Sequence, residues 1–138
     1  MSEVGSIRNP RLGQALKRSL ELRDNVRILE GVEVKGIREM DGHAIGVETS
    51  SSVLSAGKVI VTSGAWSGQV LKGILPDLPV QPVRGQMLVY KAEPGLVDRV
   101  VMLDGRYVIP RNDGRILVGS TLEYVGFDKQ TTEEAKAD

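Results

Sequence analysis

Few residues of this chain could do chemistry on their own, and their types and spacing exclude most of the usual mechanisms. Cysteine is absent and His43 is the single histidine among 138 residues. Thiolate catalysis, disulfides and the common zinc sites are therefore excluded, since each needs Cys or several His. In Gly64-Ala65-Trp66-Ser67-Gly68 the serine stands one residue late for the Gly-x-Ser-x-Gly turn that exposes a hydrolytic nucleophile. His43, next to Asp41-Gly42, belongs to a different segment, so no Ser-His pair is expected. Arg84 in Val-Arg-Gly-Gln and Arg111 in Pro-Arg carry the planar fork that grips a carboxylate in two places. Surface or sheet-edge roles are nevertheless expected of both. Ser63-Gly64 ends an apolar run with the residue type that lets a ligand approach the backbone most closely.

The elements that must position these residues are legible in the pattern. Asn9 can cap a helix with Pro10 in its first turn, and Leu12, Ala15, Leu16 and Leu20 recur at helical spacing, which predicts an amphipathic helix over residues 10–23. Short Val- and Ile-rich segments follow at residues 26–29, 32–37, 44–49 and 52–55, with Asp41-Gly42 where a tight hairpin needs positive φ. They predict a small antiparallel meander. Residues 58–62 are different, because Val59, Ile60 and Val61 are continuously apolar, as in a parallel-type strand covered on both faces. Trp66, Val70, Leu71 and Ile74 then suggest a short helix before Pro76, and in open α/β sheets a ligand lies where such a strand gives way to its turn. Strands are expected again at residues 83–90, 99–103, 106–109 and 115–119, joined through Asp104-Gly105 and Asn112-Asp113-Gly114. Thr131 and Glu134 offer a capping box, but a helix of so few residues needs tertiary support. The fold class expected is α+β: a helix, a small β-meander and one buried parallel-type strand over residues 1–80, then an antiparallel sheet over residues 81–138.

Composition narrows the partners. Eighteen basic residues balance eighteen acidic ones, so no global field draws the chain to nucleic acid or to anionic lipid. No apolar run approaches membrane-spanning length, and Met-Ser-Glu-Val-Gly-Ser lacks the basic and apolar regions of a signal peptide. A soluble, cytoplasmic protein is expected.

Residues 81–128 carry the most specific pattern: Pro-Val-Arg-Gly-Gln-Met, then Tyr-Val-Ile-Pro-Arg-Asn-Asp-Gly-Arg-Ile-Leu-Val-Gly-Ser-Thr, then Gly-Phe-Asp. This stretch resembles the substrate-side sheet of the glycine oxidase and D-amino acid oxidase family of FAD enzymes. Asn-Pro-Arg-Leu, Val34-Lys35-Gly36-Ile37 and Val-Thr-Ser-Gly-Ala-Trp-Ser-Gly at 61–68 extend the resemblance over most of residues 9–128. The resemblance implies that residues 1–80 are part of a Rossmann-like FAD-binding domain and residues 81–138 part of the substrate-binding domain, with FAD contacts at Val34, Ser63, Gly64 and Trp66. It implies substrate contact at Tyr107, whose phenol would lie near the carboxylate of a small amino acid, and it assigns no catalytic acid or base. The activity implied is oxidation of the amine of glycine or a small D-amino acid to an imine. A related D-amino acid dehydrogenase or sarcosine-type oxidase remains open, as does a self-contained binding module that self-associates. The family's Gly-x-Gly-x-x-Gly phosphate turn does not occur here, and its carboxylate-binding arginine falls outside these residues, so an inner piece of an oxidase is expected, inactive and without FAD by itself.

Overall fold

The computed structural model describes residues 5–137, and the chain divides into two compact units. One is Ile28–Val83; the other joins the residues up to Arg27 with those from Arg84 onward. The architecture is mixed helix and antiparallel sheet.

Helix α1, Asn9–Glu21, forms because Pro10 is tolerated in a first turn, where its missing N–H has no partner to lose, and the leucines fall on one face. Asn9 does not cap it. Arg8 is the cap residue, with extended backbone and no side-chain capping bond, and its carbonyl accepts from the amides of Arg11 and Leu12 at 2.9 and 3.0 Å.

In the unit Ile28–Val83, strands β1 (Val34–Met40), β2 (His43–Thr49) and β3 (Val53–Ser55) form the expected antiparallel meander in the order β1-β2-β3. Asp41 and Gly42 sit at φ 51° and 74°, the two positive values that a tight two-residue hairpin requires. The β1–β2 ladder slips twice, between Val34 and Gly36 and between Arg38 and Glu39, so the strand bends as a bulged strand does. Residues 26–29 are not a strand; they lead out of a turn in which the Val26 amide donates to the Arg23 carbonyl at 3.1 Å. Residues 58–62 are not a strand either. Every pairing among the described strands is antiparallel, and Ile60 is 87% exposed. A strand covered on both faces needs parallel neighbours, and none lies among the described residues. A 3-10 turn, Gly64–Trp66, runs directly into α2, Ser67–Val70, which packs on β1.

In the other unit, β4 (Met87–Lys91), β5 (Val101–Leu103), β6 (Arg106–Pro110) and β7 (Arg115–Gly119) form one antiparallel sheet in the order β4-β7-β6-β5. Asp104 and Gly105, at φ 49° and 77°, close the β5–β6 hairpin as expected. The final helix α3, Glu134–Ala137, is capped by Thr132 rather than by Thr131: the Thr132 hydroxyl accepts from the Ala135 amide at 3.3 Å. Thr132 is the threonine that other contacts hold in place, as described below.

Neither unit closes a core. No apolar side chain among the described residues is fully buried, and the chain exposes 11296 Å². A folded protein of this mass exposes roughly 7,000 Å², and two independent halves of it roughly 8,500 Å². The strands and turns are native in type, but much apolar surface is left without cover.

Candidate functional site

The sheet of the second unit places Tyr107 in a defined row. Tyr107 on β6 pairs with Gly119 on β7, Gly119 pairs with Met87 on β4, and Met102 on β5 pairs with Tyr107. Directly paired residues share a face, so Met87, Gly119, Tyr107 and Met102 line up across the sheet, with Val89, Leu117 and Ile109 in the next row on that face. Val108 and Pro110 point the other way, as strand alternation requires. Tyr107 is half-buried, and its hydroxyl donates to the thioether sulfur of Met87 at 3.7 Å. A thioether is a weak acceptor, so among the described residues the phenol has no strong partner and can still donate to a ligand oxygen.

At one end of this sheet a polar cluster ties residues 84–86 to residues 121–132. Arg84 and Glu123 form an isolated antiparallel bridge, each amide donating to the other's carbonyl at 2.9 Å. Their side chains meet as well. Arg84 Nη2 donates to Glu123 Oε2 at 2.6 Å and Nη1 to Asp128 Oδ2 at 2.9 Å and to the Gln130 carbonyl at 2.8 Å. Gln86 Nε2 donates to Glu123 Oε1 at 2.8 Å, while the Thr132 amide donates to Gln86 Oε1 at 2.9 Å. The Thr121 hydroxyl completes the set by donating to Glu123 Oε1. The hydroxyl of Thr121, the guanidinium of Arg84 and the amide of Gln86 all favour the ionised carboxylate and hold Glu123 down to about 2. The carboxylates of Glu123, first, and Asp128 in turn raise Arg84. With an 11% exposed side chain and two carboxylates already bound, Arg84 serves the protein and is not available to clamp a substrate carboxylate. A hollow of about 410 Å³ beside this cluster is lined by Arg106, Ser120, Thr121, Glu123 and Thr132 among others, and not by Tyr107.

The four residues expected to meet a cofactor all lie in Ile28–Val83. Ser63, Gly64 and Trp66 share the turn that opens α2, where the Ser63 carbonyl accepts from the Trp66 amide at 3.0 Å. Gly64 is at φ 54° and nothing lies within 4 Å of the place a Cβ would take, so the backbone there is both glycine-dependent and open to a ligand. Trp66 is 44% exposed, and Val34 begins β1, the strand on which α2 packs. Glycines at the spacing of a phosphate-cradling turn are absent from the sequence.

The sequence profile of the FAD dependent oxidoreductases matches residues 1–138. The chain belongs to this family. It is 46% identical over 136 residues to the glycine oxidase of Pseudomonas aeruginosa, covering 99% of this chain and 37% of that protein. To the glycine oxidase of Pseudomonas putida it is 44% identical over 135 residues, covering 98% of this chain and 37% of the relative. This FAD dependent oxidoreductase chain thus spans 37% of the length of either relative. The crystal structure of glycine oxidase from Bacillus cereus matches it with a TM-score of 0.73 at 27% identity, over 80% of this chain and 31% of that one.

Sequence reasoning singled out Tyr107 and the Ser63-Gly64 turn as candidates but missed Gln86, Thr121, Glu123 and Thr132 as a unit. A signal was present, since alternation puts Arg84 with Gln86, and Thr121 with Glu123, on common faces. Which of these faces meet was not written locally. Among the described residues there is no cluster of three or more His, Asp or Glu side chains fit to hold a metal ion, and no helix is long and apolar enough to cross a membrane.

Proposed function

We propose that this chain is part of an FAD-dependent enzyme that oxidises the amine of glycine or a small D-amino acid to an imine, which water hydrolyses to a 2-oxo acid and ammonia. The observation that carries this reading is 46% identity to a glycine oxidase across 99% of the chain. Residues 1–80 then belong to the FAD-binding part and 81–138 to the substrate-binding part, and residues 58–62 gain parallel neighbours from the rest of the protein.

In this reading the Tyr107 hydroxyl donates to a carboxylate oxygen of the substrate, and its ring keeps water from the reacting carbon. Val34, the Ser63-Gly64 backbone and Trp66 border the cofactor. The chemistry that bound FAD would supply there is acceptance of a hydride from the substrate Cα. The chain's own work is to bind and orient, so it needs no acid/base pair of its own. Arg84 is excluded from the substrate role by its two carboxylate partners. The large uncovered apolar surface disfavours a self-contained module.

The complete flavoprotein that carries this segment is expected, with glycine, to consume molecular oxygen, which reoxidises the flavin, and to release hydrogen peroxide and ammonia. Preference for sarcosine, or electron delivery to a quinone without peroxide, would move the assignment to a sarcosine-type oxidase or a dehydrogenase. The 138 residues alone are expected to leave gel filtration without visible flavin absorbance and to be inactive toward glycine; a retained flavin band would contradict that expectation.

A further inference from the structure

We propose that Met87 is a positioning residue for Tyr107, acting across Gly119; the inference rests on the reading of Tyr107 as a substrate contact. Strands in a sheet are about 4.8 Å apart, so β4 and β6 are separated by roughly twice that. A tyrosine on β6 can touch a side chain on β4 only if the strand between them presents no side chain at that position. Gly119 meets this condition. A Cβ built there would lie 2.8 Å from Met87 Cγ and 3.4 Å from Met87 Cβ, inside the space the methionine already fills. Met87 folds over the glycine, and Tyr107 Oη reaches its sulfur at 3.7 Å. Met102 pairs with Tyr107 on its other side, so a methionine stands on each flank of the ring's strand position.

The choice of sulfur has a consequence for binding. A carboxylate or carbonyl in this place would hold the phenol proton strongly and compete with an incoming ligand. Thioether sulfur accepts weakly, whereas a substrate carboxylate accepts in a charge-assisted bond about twice as strong as a neutral one. Met87 therefore fixes where the phenol waits without taking the proton the substrate needs. Its loss should weaken substrate capture and leave the chemical step alone.

The test is a mutant cycle in the complete FAD-loaded protein, with glycine kinetics, flavin content and melting temperature measured for Y107F, M87A, M87L and the M87A/Y107F double variant. Y107F is expected to raise KM. M87A is expected to raise KM roughly three- to tenfold, the range set by sulfur–aromatic contacts, with kcat changed less than about twofold and flavin content unchanged. M87L, which keeps the volume but removes the sulfur, should also raise KM, by less than M87A; a wild-type KM in M87L would overturn the role given to the sulfur. In the Y107F background, M87A should have no further effect on KM. If Y107F raises KM while M87A is neutral or multiplies with it, the positioning role is wrong and the Tyr107 assignment stands. If Y107F leaves KM unchanged, the Tyr107 assignment itself fails, and with it this inference. Should M87A not retain flavin, M87V shortens the same side chain more gently and carries the same comparison.

Discussion

The two units hold themselves in contrasting ways. The meander of Ile28–Val83 depends on neighbours in sequence: three strands linked by tight turns, with exposed ion pairs such as Arg38 to Glu48 at 2.9 Å. Its one demanding contact is between backbones, where Gly46 of β2 lies so close to the Leu54 carbonyl that a Cβ would collide with it. The four-stranded unit depends on side chains far apart in sequence. Arg84, Gln86, Thr121, Glu123, Asp128 and Thr132 hold the segment after β7 against the residues before β4, largely out of solvent at Arg84. An exposed pair contributes little because water and salt screen it, whereas a network that satisfies several donors at one carboxylate fixes geometry. The unit proposed to face substrate has its irregular segment pinned by polar chemistry, and the unit proposed to border the cofactor is shaped by turns.

The sharpest way to break that contrast is at Gly46. Gly46→Ala forces β2 and β3 apart at the backbone and should cost about 2–3 kcal/mol, read as a lowered unfolding midpoint of the complete protein. A neutral result would mean that β3 does not pair as described. Next in size is Arg84→Met, which removes four side-chain hydrogen bonds and leaves Glu123 with neutral partners only. Limited proteolysis should then cut within residues 121–132 several times faster, while Arg38→Met, at an exposed pair, should leave the meander unchanged to within about 0.5 kcal/mol. Equal effects of the two substitutions would erase the distinction between the units.

The smallest effect is the pH response of the polar cluster. Glu123 is held below its ordinary value of 4.5, at about 2, so the folded form favours its ionised state. That contribution is complete above the ordinary value and is lost as pH falls through the window from about 4.5 toward 2. Protection of the Glu123 and Thr132 amides from hydrogen exchange, relative to their intrinsic rates at each pH, should fall across this window, and Glu123→Gln should flatten the dependence. A meander that loosens first over the same range would place the acid-sensitive element in the wrong unit.

The sequence by itself determined what depends on a few adjacent residues. Positive φ at Asp41-Gly42 and Asp104-Gly105 follows from residue type, α1 follows from the spacing of its leucines, and β7 was placed at residues 115–119 as it stands. The family was legible too, in the run around Tyr107. Tertiary structure decided the rest, because it depends on which distant segments meet. Residues 58–62 have strand composition but find no parallel neighbour; Thr132 caps α3 in place of Thr131 because Gln86 holds it. The Met87–Gly119–Tyr107 row exists only once three strands separated by loops are in register. Backbone preference acts over two or three residues and can be read from them, whereas register across more than thirty is set by the assembled sheet.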